Sequence, residues 1–285
     1  MSVRTLLYGE VYYHGRRGVE KGFVFINGEK IGDVGSEPLP EYELAELVLK
    51  YEKPALVLHG FSALVPGVEF PYRGLGVEAQ SMSPSALERF VQASVSASIA
   101  NGVTLPIFMD TNDCLVSSSL SKLGVQGIVI SRQPCERPGV LNILIARETL
   151  VFKGVELGVF SQVVCKPEEV EERCLILDTR GEHSRSVQAW LSKSPNPRLA
   201  LNLLLKPYKL LELDNGLIER GSISDVLVYD LSDPVISAPL KAVDPLTTVM
   251  RGNPQLVFVR GEVAFEKGEH LMVEPPSIIQ LLPGE

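Results

Sequence analysis

The chain has 285 residues, 45% hydrophobic and 22% charged, with a formal net charge of -8. That composition supports a packed core and excludes wholesale disorder. The Lys and Arg residues are scattered, so no basic face meets phosphates and nucleic-acid binding is excluded.

Residues 1–15 lack the apolar run of a secretory signal, and no stretch approaches the roughly 20 apolar residues that span a bilayer. A cytoplasmic protein without membrane contact is expected. Short antiparallel strands open the chain: Thr5–Tyr13, Gly22–Ile26 and Lys30–Val34. Asn27-Gly28 offers a hairpin turn whose central residues tolerate positive φ. Pro38–Lys53 has helical spacing through Leu44, Leu47, Val48 and Tyr51. Ala55–Phe61 is largely apolar and reads as a strand buried on both faces.

Ser83-Pro84 is a helix start, with a hydroxyl cap and proline in the first turn. Leu87, Phe90, Val91, Val95 and Ile99 continue one apolar face up to Gly102. Val103–Met109 is then a buried strand, Leu115–Leu123 a helix and Val125–Ile130 a strand. This alternation belongs to a parallel sheet with right-handed crossovers. Further strands are expected at Val140–Ala146, Val155–Val164 and Leu175–Leu177. Short helices are expected at Pro167–Arg173 and Ser184–Leu191, and a last one at Arg198–Leu211, interrupted at Pro207. Strand texture returns in Ser222–Tyr229, Gln255–Arg260, Glu262–Glu266 and His270–Val273. Ends of matching type suggest one composite β-sandwich domain from residues 1–57 and 208–285, around an α/β domain at 58–207.

Four segments, in order, resemble the amidohydrolase superfamily, the metal-dependent hydrolases of the dihydroorotase and imidazolonepropionase kind. The opening LLYGEVYYHGRRGVEKGFVFINGEKIGDVG is similar to that family's N-terminal strands. NGVTLPIFMD is similar to its second barrel strand. NGLIERGSISDVLVYD carries Gly216, Gly221, Asp225 and Asp230 in the family's places, and QLVFVRGEVAFEKGE carries Val257, Val259, Gly261, Val263 and Gly268. The resemblance covers residues 1–130 and 211–285. It implies a metal-dependent hydrolase barrel with a sandwich built from both chain ends, in a shortened and divergent member. The fold class expected is therefore α/β with a β-sandwich. Residues 58–207 are too few for a closed eight-fold barrel of about 250 residues, so an incomplete or distorted TIM-like barrel is expected. An open sheet edge would favour a homo-oligomer.

The family's first barrel strand ends P-G-x-x-D-x-H-x-H, and its two histidines bind the metal. The matching stretch here is LHGFSALVPG, with His59 at the proline, Ala63 at the aspartate, and Val65 and Gly67 at the ligands. Neither side chain offers a lone pair, and neutral imidazoles are what hold the ion that activates water. No metal ligand and no cofactor are therefore assigned; the alternative is a weakly held divalent metal. Of the four histidines, His14 and His270 read as surface residues in turns, and His59 as a core histidine satisfied by a backbone carbonyl. His183, beside Asp178, Arg180 and Glu182, stands past a strand end, where barrel enzymes place catalytic groups.

If the chain is active, Asp110, Asp178 and His183 are the catalytic candidates, because carboxylates with an imidazole serve as general base. Glu69, Arg73, Arg132 and Arg180 are the substrate-binding candidates, with Asp113 and Tyr72 nearby. The favoured function is a protein that has lost metal-dependent catalysis and keeps a binding, assembly or regulatory role. The alternatives are a residual hydrolase of cyclic amide carbon–nitrogen bonds and a small-molecule binding protein. No G-x-S-x-G, P-loop or strand-linked G-x-G-x-x-G is present. The four cysteines form no CxxC pair and read as buried free thiols, with a Cys165–Cys174 disulfide left open.

Overall fold

The computed structural model describes residues 3–67, 83–110, 113–182, 186–232 and 243–276. From the N-terminus come β1 (Arg4–Gly15), β2 (Gly18–Asn27), β3 (Lys30–Gly35), a 3-10 turn at Pro40–Leu44 and β4 (Leu47–His59). Then follow α1 (Pro84–Ala100), β5 (Ile107–Asp110), α2 (Leu115–Leu123), β6 (Gly127–Ser131), β7 (Val140–Ala146), β8 (Thr149–Phe152) and β9 (Val155–Val159). The chain continues through α3 (Phe160–Val163), β10 (Val164–Cys165), β11 (Ile176–Leu177), α4 (Val187–Lys193) and α5 (Pro197–Leu210). Last come β12 (Val226–Asp230), α6 (Pro245–Arg251), β13 (Leu256–Val259), β14 (Glu262–Glu266) and β15 (Glu269–His270). The fold is mixed α/β, with several sheets and few helices.

Both chain ends meet in one eight-stranded sheet, ordered β15-β14-β13-β12-β4-β1-β2-β3. Alternation along β1 and β2 sends Leu7, Val11, Tyr13, Val24 and Ile26 to one buried face, with Val226, Val228 and Phe258 from the C-terminal strands. The sheet curls until its far edge meets the chain entering β12. Ile31 N–H donates to Ser222 O and Gly221 N–H to Ile31 O, each at 2.8 Å. At that seam Gly261 has φ +82°, and a Cβ there would lie 2.1 Å from Gly28 O. Only glycine allows the two turns to touch.

Past β4 the chain changes neighbours. Phe61 bridges Val103, and Leu64 bridges both Ile107 and Asp178, all in parallel. Residues 61–64 therefore lie between β5 and β11. β5, β6 and β7 run parallel, and β8 and β9 fold back antiparallel as hairpins. Among the described residues no ladder joins β9 to β10, and the barrel is not closed. Its inner side is filled by aliphatic side chains, among them Leu64, Leu105, Ile107, Ile128, Ile130, Ile143 and Ile176. On the outer side α1 packs the face read from the sequence. Ser83 Oγ accepts Ala86 N–H at 3.3 Å, Leu87, Phe90, Val91, Val95 and Ile99 are buried, and Gly102 follows at φ +84°.

Several expectations are corrected. Pro38–Lys53 is not a helix, because Leu47, Leu49 and Tyr51 alternate with exposed residues and pair in parallel with β1. Those leucines fit a period of 2 as well as one of 3.6, and a partner distant in sequence decides between them. Ala55–His59 belongs to the eight-stranded sheet, against β1 and β12, and not to the barrel strands. The β2–β3 turn centres on Gly28-Glu29, one residue later than expected, and of the two only Gly28 has positive φ. α5 continues through Pro207. His14 lies within β1 and His270 within β15, neither in a turn and both half-buried. His270 Nδ1 lies 2.8 Å from Ser96 Oγ.

The cysteines are not free thiols. Cys114 bonds Cys135, and Cys165 bonds Cys174, with Cα separations of 5.3 and 5.9 Å. Those separations suit a disulfide, and the first pair meets because its members follow the ends of adjacent parallel strands, β5 and β6. No helix among the described residues is long and apolar enough to cross a membrane.

Candidate functional site

Along each parallel strand the period of 2 decides which side chains reach the interior. On β5, Ile107 and Met109 face inward, and on β6 Ile128 and Ile130 do. On β7 the inward side chains are Ile143 and Ile145. The uppermost of these, Met109, Ile130 and Ile145, floor a cavity of about 580 Å³ at the C-terminal ends of the strands. Its rim carries Asp110, Asp113, Ser131, Arg132 and Gln133. The Cys114–Cys135 disulfide ties the turn after β5 to the loop after β6. Cys135 N–H donates to Asn142 Oδ1 at 3.3 Å, which anchors that loop on β7.

The candidates read from the sequence divide between two places. Asp110, Asp113 and Arg132 line this one cavity. Asp110 lies on the alternate side from Met109, and its carboxylate accepts Ser117 N–H at 3.1 Å and Ser117 Oγ–H at 3.3 Å, fixing the start of α2. Asp113 and Arg132 are exposed, and among the described residues they form no ion pair with each other or with any other residue. Asp178 does not line the cavity. Its carboxylate is held bidentately by Arg180, through Nε at 2.9 Å and Nη2 at 2.8 Å. Glu182 is buried and paired with Lys193. Glu69, Tyr72, Arg73 and His183 lie outside the described residues.

The strand corresponding to the family's metal-binding one shows a different register from that expected. Leu64 faces the inner layer, and Val65 packs on the helix side among Phe61, Ala63 and Val91. Neither side chain can coordinate an ion. Among the described residues no three His, Cys, Asp or Glu side chains are grouped as a metal site requires. The described residues do not fit the metal that the resemblance implies.

A second polar cluster, which the sequence did not reveal, lies where the eight-stranded sheet joins the parallel strands. His59 is buried, with Nδ1 3.0 Å from Gly60 O and Nε2 3.0 Å from Asp214 Oδ2. Both partners accept, so the ring carries both protons and donates from each nitrogen. Burial opposes that charge, but the Asp214 hydrogen bond and the Asp214 and Asp225 charges outweigh it, and the His59 pKa is raised. Burial likewise opposes the Asp214 carboxylate. His59 and the N–H groups of Gly216 and Ile223 nevertheless hold its pKa below the ordinary value. Beside this pair, Tyr208 O–H donates to Asp225 Oδ2 at 2.8 Å and lies 2.9 Å from Thr104 Oγ1, while Arg260 N–H donates to Asp225 Oδ1 at 2.9 Å. A Cβ on Gly60 would sit 1.9 Å from Thr104 Oγ1, so glycine is required there. The carbonyl partner of His59 was legible in the sequence, since Gly60 is its neighbour. Asp214, 155 residues away, gave no signal.

No protein-family model matches the chain, and no curated protein matches it in sequence. Solved structures do match. An adenosine deaminase from Xanthomonas campestris with bound zinc superposes with a TM-score of 0.70 at 11% identity, over 97% of this chain and 96% of that one. An atrazine chlorohydrolase from Arthrobacter aurescens complexed with zinc gives 0.66 at 13% identity, over 98% and 100%. The E. coli guanine deaminase gives 0.64 at 11%, over 93% and 99%. All are amidohydrolase superfamily members. At these identities the likeness concerns the fold alone: this chain has a fold like that of these amidohydrolase superfamily structures, and among the described residues its barrel is not closed.

Proposed function

We propose that this is an amidohydrolase-fold protein that has lost metal-dependent catalysis and keeps a small-molecule binding role at the mouth of its parallel strands. One observation carries the reading. The inner layer where the family implies metal ligands is aliphatic, with Leu64 on the first strand and Met109 and Ile130 on the next two. An ion needs nitrogen, oxygen or sulfur donors there to lower the pKa of bound water. The test is metal analysis of the protein as purified from medium containing zinc, iron and manganese. Far less than one equivalent is expected, and one equivalent of any of these metals would refute the proposal.

A second reading, a residual hydrolase of cyclic amide carbon–nitrogen bonds, draws on Asp178, which follows β11 at the C-terminal end of the parallel strands. Its carboxylate is committed to Arg180, which leaves a poor general base. A screen of cyclic amides and imides, with and without added metal, separates the two readings. Turnover abolished by Asp178→Ala would favour the second. Self-association is proposed at the open end of the barrel sheet, where β9 has no ladder partner beyond β8 among the described residues. The cytoplasmic location expected from the sequence is weighed against by the two disulfides, since cytosolic thiols are usually kept reduced.

A further inference from the structure

We infer that the cavity at the mouth takes a small zwitterion with an apolar body, its anionic group on Arg132 and its cationic group on Asp113; this rests on the binding role proposed above. The two charged groups stand on different elements. Arg132 directly follows β6, and Asp113 lies in the turn between β5 and α2. Both line the same cavity and are exposed, and among the described residues neither makes an ion pair. A ligand of one charge would meet attraction at one and repulsion at the other. A ligand carrying both charges satisfies both, and a guanidinium suits a carboxylate because it binds with two parallel hydrogen bonds.

Between the charges the floor is Met109, Ile130 and Ile145, an apolar surface for a methylene chain. The cavity volume of about 580 Å³ lies in the range of small-molecule sites. The disulfide sets the spacing of the charges, because it joins Cys114, next to Asp113, to Cys135, three residues past Arg132. Asp113 and Cys114 both hold positive φ, 47° and 63°. The bridge limits how far Asp113 and the loop carrying Arg132 can separate, which lowers the ordering cost of binding.

Isothermal titration with δ-aminovalerate, valerate and pentylamine tests the inference. The zwitterion is expected to bind tightest. Arg132→Ala should weaken it by about tenfold or more, as loss of a charge-assisted pair does, while leaving pentylamine binding unchanged. Asp113→Asn, which tolerates positive φ, should do the converse. Reduction of the disulfide, or Cys114→Ser with Cys135→Ser, should weaken zwitterion binding too. Equal affinity for the three probes, no binding of any, or undiminished binding in Arg132→Ala would overturn the inference. None of those results bears on metal content, so this inference and the proposed loss of catalysis fail separately.

Discussion

At the junction of the eight-stranded sheet with the parallel strands, His59, Tyr208, Asp214 and Asp225 are packed together with every polar partner supplied by the protein. At the mouth, beyond the opposite ends of the same strands, Asp113 and Arg132 face solvent with no ion-pair partner among the described residues. The junction residues include Asp225, one of those that carry the family resemblance, and they hold the architecture. The mouth is where the family implies chemistry, and there the inner wall is aliphatic. The difference teaches that the residues that hold the fold are separate from those that line the mouth, so the fold alone does not fix what the mouth does.

Removing junction groups should therefore cost stability, and removing mouth groups should not. The largest effect is expected for Asp225→Ala, which removes the buried carboxylate that accepts both Tyr208 O–H and Arg260 N–H. A loss of about 3 kcal/mol or more in chemical denaturation is expected. A loss under about 1 kcal/mol would show that the cluster is not the anchor proposed.

Next come the disulfides. Chain entropy gives about 3.3 kcal/mol for the bridge with a sequence separation of 21 and about 2.6 kcal/mol for the one with a separation of 9. Cys114→Ser with Cys135→Ser should thus lower stability slightly more than Cys165→Ser with Cys174→Ser, as read from denaturation midpoints.

The His59–Asp214 pair makes stability depend on pH in both directions. The His59 pKa is raised, so its contribution is whole below the ordinary value of 6.5 and is lost as pH climbs through the higher folded value. The Asp214 pKa is lowered, so its contribution is whole above 3.8 and is lost as pH falls through the folded value. Denaturation across pH should show a plateau between those limits, with the alkaline decline reduced in His59→Gln. An unchanged alkaline limb in that variant would remove His59 from the account. The smallest effect belongs to the mouth: Arg132→Ala should change stability by no more than about 0.5 kcal/mol, measured the same way.

Much of the fold was legible where one local signal was unambiguous. α1 follows from Ser83, Pro84 and its apolar stripe, α2 spans Leu115–Leu123, and β7 spans Val140–Ala146 as read. What failed depended on distant partners. Leu47, Leu49 and Tyr51 became a strand only because β1 lies alongside. β8 is four residues long and α6 seven, both too short to show a period. The Cys114–Cys135 bridge needed the positions of β5 and β6. Asp110, Asp113 and Arg132, named from the sequence, line one cavity, but the commitment of Asp110 to the start of α2 was not legible, because it depends on which way each side chain of β5 points.

The central proposal is that, among the described residues, the inner wall of the mouth is aliphatic where the family implies metal ligands. Calorimetric titration of zinc into protein stripped with a chelator tests it most directly. No stoichiometric binding is expected, whereas a single tight site, abolished by substituting residues at the mouth, would contradict the claim.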